Sequence, residues 1–465
     1  MKIKNFALLI VSLAVFSPAI IFGEANSNLL QSVNCFDYYH FGNVGVNISL
    51  EKESTLGRPA DPSSLPPAVL NKSYVFGGTD AKFSGKVTNP ESYPIVDGSV
   101  YVKIFKKINP TGKSSTAISE NALVDQFYAT KGISIGAKKQ SQFYFSWKVP
   151  ERLESGDYYI AAYFIVGDKF NVSGLFSTDS VTGGTTDFSI LASKDGAVSF
   201  DKTSVKVGNQ KYSFGADYPR VDDGNPIKIT FSLDNKTASP QRIPVSYILY
   251  KSDNLKTENI LNTTSELVIL GAKSSKNLSY TINDGQHAVY YLVAEADNKG
   301  AKSIIDIRVI RNNINKLELS YAAIGAYPFV ADTLSSVMAC AVNTSSTTVE
   351  NARLVLSVIN NRGKTIWSGN YEGVINGAMT GLSGAFKAEK DLSDFWVKAE
   401  LYDGKDLADQ VILPYSCKAI DPKLCASGLL DQVWFIPTIV ILAIALGIFV
   451  MIEKRKNKIS ENLNP

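Results

Sequence analysis

Apolar and polar residues alternate along most of this chain, in short runs separated by turn residues. Such a run places its apolar side chains on one face of a β-strand, so that this face can enter a core. One order of runs recurs three times: a strand, an asparagine at a turn, and a second strand. We expect each asparagine to tolerate left-handed backbone geometry and to bond to the nearby backbone. The three strand pairs are 83–89 with 98–105, 229–235 with 243–250, and 337–343 with 352–359.

A third matched strand follows in each copy, at 155–164, 287–295 and 395–401. Aromatic and β-branched residues are frequent in these segments, as is typical of half-buried strands. The first segment resembles the strand of a tyrosine corner, in which Tyr158 or Tyr159 packs while its hydroxyl bonds to the backbone. We interpret Trp147 and Trp396 as core residues, with an exposed aromatic platform for a ligand as the alternative.

The repeats predict an all-β fold of tandem antiparallel β-sandwiches, because short strands with frequent turn signals are typical of that architecture. We place the three modules at 36–192, 196–311 and 315–416. The junctions between them are polar and rich in turn residues, as linkers are.

The amino-terminal residues read as a secretory signal. Lys2 and Lys4 precede an apolar run from Phe6 to Phe22, and small residues follow at Gly23 and Ala25. We therefore expect residues 1–25 to be a cleaved signal peptide, with an uncleaved anchor as the alternative.

The carboxyl-terminal residues read as a membrane anchor. Residues 433–452 contain no charged side chain and, as a helix, would span about 30 Å, the thickness of a bilayer core. Four basic residues follow within 453–465, so the positive-inside rule places that tail in the cytoplasm. We expect a single-pass protein of the cell membrane, with 417–432 as a juxtamembrane loop and the modules outside the cytoplasm.

Charge gives no sign of a nucleic-acid partner. The formal net charge is +3, of which Lys2 and Lys4 contribute +2 and the 453–465 tail another +2. The remainder is close to −1, so the predicted ectodomain has no net attraction for nucleic acid or anionic lipid.

Four cysteines over this length are too few for a disulfide scaffold, so packing must supply most of the stability. Cys417 and Cys425 are close enough to pair just outside the membrane; the alternative is that both thiols are free. Cys35 and Cys340 remain, but spacing does not establish whether they pair.

The sequence offers little for catalysis or cofactor binding. His40 and His287 are its only histidines, and both are interpreted as structural or surface residues. Phosphate-binding and dinucleotide motifs are absent, as is any Cys/His cluster with metal-ligand spacing. We therefore expect no enzymatic activity and no cofactor.

One group of oxygen-bearing side chains could hold Ca²⁺ at the first junction. A turn before a strand, which needs no ion, is the ordinary interpretation. The four residues are Asp217, Asp222, Asp223 and Asn225.

Asn-x-Ser/Thr motifs could accept glycans in an exported chain. Two of them, at Asn235 and Asn343, coincide with the repeat turns, where geometry alone explains the asparagine. The seven acceptors are Asn47, Asn71, Asn171, Asn235, Asn262, Asn277 and Asn343.

The strand–asparagine–strand order, followed by Leu-Glu-Ser-Gly-Asp-Tyr at 153–158, resembles bacterial and archaeal immunoglobulin-like modules. The CARDB (cell-adhesion-related) and fibronectin type III-like groups are the most similar. The resemblance covers most of the predicted ectodomain and implies a seven-stranded sandwich with a role in spacing, adhesion or complex assembly. These groups share no catalytic residues that could be carried over.

We therefore expect a membrane-anchored cell-surface protein whose modules form a stalk for adhesion or envelope interaction, with a protein or glycan partner. Three modules end to end would reach on the order of 100 Å. The aromatic group Phe36, Tyr38, Tyr39 and Phe41 is either an exposed patch or part of the first core.

Two other functions are alternatives to this one. The first is a membrane-tethered accessory subunit of an export, pilus or envelope-enzyme complex. The second is an ectoenzyme such as a glycan hydrolase, which would need a carboxylate pair about 5–10 Å apart in an open cleft.

Overall fold

The chain folds into three β-sandwiches and is all-β in the part that the structure describes. The structure is a computed structural model. It describes residues 29–35, 44–51, 74–108, 121–167, 170–171, 184–191, 197–214, 219–222, 226–251, 255–312, 314, 316–344, 348–376, 379–425, 448 and 452.

The first sandwich pairs a three-stranded sheet, β2–β4–β7, with the five strands β6–β5–β8–β10–β3. Apolar side chains from both layers, among them Phe83, Val102 and Phe164, form its core. The described chain opens with β1 (Gln31–Val33), and the strands of this module are β2 (Gly45–Leu50), β3 (Tyr74–Phe76), β4 (Asp80–Thr88), β5 (Ile95–Lys106), β6 (Ala122–Ile135), β7 (Gln140–Lys148), β8 (Gly156–Val166), β9 (Phe170–Asn171) and β10 (Thr185–Leu191).

The second sandwich pairs β12–β11–β14–β17 with β16–β15–β18–β19. Its core includes Phe231, Tyr247 and Leu292. Its strands are β11 (Val198–Val207), β12 (Gln210–Lys211), β13 (Arg220–Val221), β14 (Ile227–Asn235), β15 (Gln241–Tyr250), β16 (Ile260–Leu270), β17 (Ser274–Ile282), β18 (Val289–Asn298) and β19 (Ala301–Arg311).

The third sandwich pairs β23–β22–β25–β26 with β1–β24–β21–β20, and its core includes Leu356, Trp367 and Phe395. A short helix, α1 (Cys417–Ile420), and a 3₁₀ turn (Pro422–Leu424) follow the last strand. The strands are β20 (Leu317–Ile324), β21 (Leu334–Asn343), β22 (Val349–Asn360), β23 (Thr365–Ile375), β24 (Thr380–Lys387), β25 (Asp394–Asp403) and β26 (Asp406–Ser416).

All three predicted repeats are present. The predicted strand pairs correspond to β4 with β5, β14 with β15, and β21 with β22, and the third matched strands are β8, β18 and β25. The strands of each module fall within the predicted ranges except β1, which precedes them. β1 pairs with β24, so the amino-terminal strand completes the third module.

The repeat asparagines differ from the expectation in one respect. Asn89, Asn235 and Asn343 bond to nearby backbone, as expected, but none of them has a positive φ. Positive φ values occur instead at residues such as Asp97 (φ 53°), within β5, and Lys273 (φ 48°), in the turn between β16 and β17. Hydrogen bonding rather than backbone tolerance therefore explains asparagine at these positions.

The modules pack side by side. One register pair, Ile304 with Leu123, joins β19 to β6 and makes a single eleven-stranded sheet from strands of the first two modules. The outward side chains of both halves meet in a shared apolar cluster that includes Tyr159 and Tyr291. Residues of the third module, among them Met338, enter the first core. This arrangement differs from the end-to-end stacking that a stalk would need.

The described residues include no helix that is long and apolar enough to cross a membrane. The predicted signal peptide (1–25) and cytoplasmic tail (453–465) lie outside the described residues. The predicted membrane segment (433–452) does too, apart from the isolated residues Ile448 and Ile452, and so does the 426–432 part of the juxtamembrane loop.

Candidate binding surface

A candidate binding surface is the outward face of the β23–β22–β25–β26 sheet. Alternate residues of β22 and β25, such as Leu354 and Val397, enter the core, and those between them face outward and are half-buried, apart from the buried Ser357. The outward neighbours across these two strands are Arg353 with Tyr402, Val355 with Glu400, Ser357 with Lys398, and Ile359 with Trp396. We call these eight residues the outer platform.

Polar contacts connect the outer platform along its length. The guanidinium carbon of Arg353 lies 4.0 Å from the centre of the Tyr402 ring, a cation–π arrangement. The Tyr402 hydroxyl donates to Glu400 Oε1 over 3.3 Å, and Lys398 Nζ lies 2.8 Å from the same oxygen. These contacts hold one aromatic and three charged side chains in defined positions before any ligand binds.

A cleft of about 600 Å³ opens at the Arg353 end of the platform. Its lining carries charges of both signs. Glu350 and Glu372 contribute exposed carboxylates, and Arg353 and Lys405 contribute basic groups. The complete lining is Glu350, Asn351, Arg353, Glu372, Gly373, Gly404 and Lys405.

The groups that line this cleft are mostly polar or charged. Its lining supplies hydrogen-bond donors and acceptors but contains no histidine, cysteine or hydroxyl nucleophile. Glu350 and Glu372 both line this open cleft, and both side chains are solvent-exposed. A general acid of the glycosidase type needs an apolar enclosure, which neither has.

The prediction that Trp147 and Trp396 are core residues is confirmed for one of them only. Trp147 is buried, as predicted, and its indole N–H donates to Asp125 Oδ2 over 2.8 Å. Trp396 is only half-buried on the outer platform, so its assignment to the core is wrong. Trp367 on β23 fills the third core instead. Alternation did not reveal this difference, because either face of an isolated strand can be the buried one.

Tyrosine corners occur in two modules. The Tyr158 hydroxyl donates to the carbonyl oxygen of Glu154, and the Tyr290 hydroxyl donates to that of Asp284 over 2.6 Å. Burial is the main cause that raises the pKa of both hydroxyls. The third module has Phe395 at the equivalent core position.

His287 has a structural position. It precedes β18 beside the second tyrosine corner, with Nε2 3.3 Å from Asp284 Oδ2. Partial burial lowers its pKa, although Asp284 acts in the opposite direction. His40 and the predicted aromatic group at 36–41 lie outside the described residues.

Of the four calcium candidates, only Asp222 lies in the described part of the chain. It is exposed and accepts a hydrogen bond of 3.1 Å from the side-chain amide of Asn312. Asp217, Asp223 and Asn225 lie outside the described residues. Within the described ranges no three His, Cys, Asp or Glu residues are grouped so that they could hold a metal ion.

Both cysteine pairs form disulfides. Cys417 is joined to Cys425, with Cα atoms 5.0 Å apart, which closes the loop after β26. Asp421 of this loop contacts Lys139 of the first module, with Nζ 2.5 Å from Oδ2. Cys35 is joined to Cys340, a pairing that spacing alone could not assign, and it attaches the segment after β1 to β21.

The seven glycan acceptors lie in different environments. Asn47, Asn262 and Asn277 are exposed, and each lies on a strand at the edge of its sheet. Asn235 and Asn343 are 2% and 1% exposed, and Asn235 donates to two backbone carbonyls. Asn71 and the side chain of Asn171 lie outside the described part.

Comparisons with known proteins assign no family. No protein-family model and no curated protein matches the chain. Solved structures with partial similarity include red sea bream transglutaminase (8% identity, covering 46% of this chain and 31% of that one, TM-score 0.25). Another is Escherichia coli α-2-macroglobulin activated by porcine elastase (10% identity, 75% and 32%, TM-score 0.22). The chain thus spans about a third of these proteins, and at such TM-scores the similarity supports no functional argument.

Proposed function

We propose that this chain is a membrane-anchored surface protein whose three immunoglobulin-like sandwiches form a compact binding head outside the cytoplasm. The two disulfides support export, because such bonds form and persist in oxidising compartments. The uncharged 433–452 segment, followed by basic residues, supports a single-pass anchor with a cytoplasmic tail.

The outer platform is the observation that carries the binding role. It presents one tryptophan, one tyrosine and three charged groups on an open sheet face beside a polar cleft. Aromatic rings flanked by hydrogen-bonding groups favour a sugar or a polar protein surface as the partner. We propose a glycan or protein ligand for this face, without chemistry on it.

Binding is tested by screening the full-length chain, in mild detergent, against glycan and envelope-protein arrays. We expect Tyr402→Ala and Lys405→Ala to weaken the strongest interaction about tenfold each, the equivalent of ~1.4 kcal/mol. Lys228→Ala is the matched control, since Lys228 is exposed on β14 in another module. Equal binding by all four proteins would exclude the outer platform as the binding face.

A second candidate, the accessory subunit of an export, pilus or envelope-enzyme complex, is favoured by the side-by-side packing. A compact head reaches less far than a stalk, so its partners would lie near the membrane. Crosslinking in cells followed by affinity purification separates the two roles. A stoichiometric membrane partner supports the accessory subunit, and its absence together with array binding supports the free binding head.

A further inference from the structure

The chain leaves the third module at one end of its two sheets. β26 ends there at Ser416, and the loop closed by the second disulfide follows it. Three connections between strands lie at the same end, because Asn360 is opposite Phe395 in the register and Phe329 N–H donates to Leu392 O over 3.0 Å. We call this part of the module the anchor end. It comprises residues 325–334, 359–366, 387–396 and 414–424.

The anchor end carries an excess of exposed basic side chains, six of them against three acidic ones. The opposite end of the module, residues 349–351, 372–376 and 403–406, has the reverse bias, with four exposed carboxylates against one exposed base, Lys405. We call this opposite end the far end. The predicted ectodomain is nearly neutral as a whole, so this separation of charge, rather than net charge, makes one end of the module positive. The exposed charges of the anchor end are Arg362, Lys364, Lys387, Lys390, Lys418 and Lys423, with Asp332, Glu389 and Asp391.

Large apolar side chains are exposed among these charges. Val330 is 46%, Leu334 44% and Leu424 39% exposed. Basic groups beside exposed apolar groups are typical of surfaces that lie on a bilayer, because the cations meet headgroup phosphates and the apolar groups enter the headgroup layer. The anchor end therefore has the chemistry of a surface that contacts lipid.

The chain beyond the described part limits how far this end can be from a bilayer. Seven residues, 426–432, separate Cys425 from the uncharged 433–452 segment. Fully extended, seven residues span at most about 25 Å. This step rests on the proposed function, in which residues 433–452 cross the membrane. The positive end of the module is then the end that is tethered close to the lipid headgroups.

We propose that the anchor end docks on anionic lipid headgroups of the membrane that holds the chain. The basic side chains bind the headgroup phosphates, and the acidic far end is repelled by the same surface. β22 connects the two ends, and its twelve residues span about 40 Å. Docking therefore holds the cleft beside Arg353 and Lys405 away from the membrane, where it faces a glycan or protein of the surroundings.

The lysines themselves report on docking. Full-length chain is reconstituted into vesicles of phosphatidylcholine, with or without phosphatidylglycerol, and treated with an amine reagent that does not cross the bilayer. Mass spectrometry reads the labelling rate of each lysine. We expect Lys390, Lys418 and Lys423 to react at least about threefold more slowly in the anionic vesicles, because the negative surface potential keeps nearby amines protonated. Lys405 should react equally in both, since the potential falls off within a Debye length of about 10 Å.

Removing charge from the anchor end should release it. Each basic residue near an anionic surface strengthens binding about fivefold. Lys390→Gln with Lys418→Gln and Lys423→Gln should therefore weaken docking about a hundredfold, so that Lys364 and Lys387 lose their protection in anionic vesicles.

The matched control removes three exposed lysines from the β12–β11–β14–β17 sheet of the second module. We expect it to keep the protection of the anchor end, since that sheet lies in another module. Circular dichroism checks that both triple variants are folded. The control substitutions are Lys206→Gln, Lys228→Gln and Lys276→Gln.

The results separate a failure of docking from a failure of the anchor. If alkaline carbonate extracts the full-length chain from the vesicles, residues 433–452 do not cross the bilayer, and both the proposed anchor and this inference are wrong. If the chain resists extraction but the anchor-end lysines are labelled equally in both kinds of vesicle, only docking is overturned. Equal protection in the two triple variants overturns docking in the same way. Protection in cell membranes but not in vesicles assigns the anchor end to an acidic protein instead of lipid.

Discussion

A single buried asparagine secures the turn of each of the first two repeats. Asn89 donates to the carbonyls of Tyr93 and Gly136. Asn235 donates in the same way to the carbonyls of Ser239 and Gly271. In both turns the side-chain oxygen accepts from the backbone N–H two residues later. The asparagine side chain thus connects a strand end to a turn far along the chain. Serine and aspartate could not replace it, because neither has an NH₂ group that donates two hydrogen bonds.

We predict that Asn235→Ala destabilises the protein by about 1–3 kcal/mol, because it leaves buried carbonyls without a donor. Asn277→Ala is the control: Asn277 is exposed, and its removal should change the free energy of unfolding by less than about 0.5 kcal/mol. Urea unfolding followed by circular dichroism measures both. Equal effects would show that the Asn235 network contributes nothing beyond a surface contact.

Burial also predicts which acceptors can carry a glycan. In a host that glycosylates Asn-x-Ser/Thr, we expect glycans at Asn47, Asn262 and Asn277 and none at Asn235 or Asn343, since the latter amides are enclosed in the fold. Peptide mapping by mass spectrometry reads each position separately. A glycan at Asn235 on folded protein would contradict the turn described above.

We predict that His287 makes the fold sensitive to mild acid. Burial holds its pKa below 6.5 in the folded chain, so the unfolded chain binds a proton first as the pH falls. Its contribution is therefore fully favourable above pH 6.5 and declines as the pH falls through that value to the lowered folded pKa. His287→Gln should flatten the loss of thermal stability between pH 7 and about 5, the window before carboxylates titrate. If thermal stability falls equally with pH in the original chain and in H287Q, His287 has no such role.

At the scale of elements, alternation along the sequence predicted repeated strands such as β4, β14 and β25, because each has one face in a core. It could not place β1. That strand of three residues pairs with Ser383 and its neighbours, and nothing local indicates so distant a partner.

We predict that the two disulfides differ in their effect on stability. The chain-entropy account gives about 6 kcal/mol for the Cys35–Cys340 bond, which closes a loop with a separation of 305 residues. It gives about 2.5 kcal/mol for Cys417–Cys425, with a separation of 8. The paired serine variants, C35S/C340S and C417S/C425S, should rank in this order in urea unfolding. The reverse order would show that β1 contributes little to the third module.

At the scale of the whole molecule, the sequence of β8 indicates the side-by-side packing of the modules. β8 is buried on both faces: Tyr158, Ile160 and Phe164 enter the first core, while Tyr159 and Tyr163 enter the interface with the second module. A continuous apolar run of this kind is typical of a strand covered on both sides, whereas a strand in a free-standing sandwich alternates. The run 156–166 could therefore have predicted a neighbour for this sheet.

The same interface contains a buried ion pair. Lys103 Nζ of β5 lies 3.0 Å from Asp306 Oδ2 of β19, and both side chains are at most 4% exposed. Gln126 Nε2 donates to the other oxygen of Asp306 over 3.0 Å. The pair joins the first module to the second. Because two desolvated charges contribute little net stability, we predict that its main effect is to fix how the modules are oriented.

This reasoning predicts an asymmetry between single and double substitutions. Lys103→Met leaves Asp306 buried without its cation and should cost about 3–5 kcal/mol in the free energy of unfolding, whereas Lys103→Met with Asp306→Leu should restore most of it. The double variant still fills the interface, so stability alone cannot show whether the charges orient the modules. Small-angle scattering supplies that readout. If the pair sets the orientation, the double variant scatters as a broader distribution of module arrangements although it unfolds like the original. If its scattering is unchanged, the shared apolar cluster and the β19–β6 pairing are enough to orient the modules, and the ion pair has no such role.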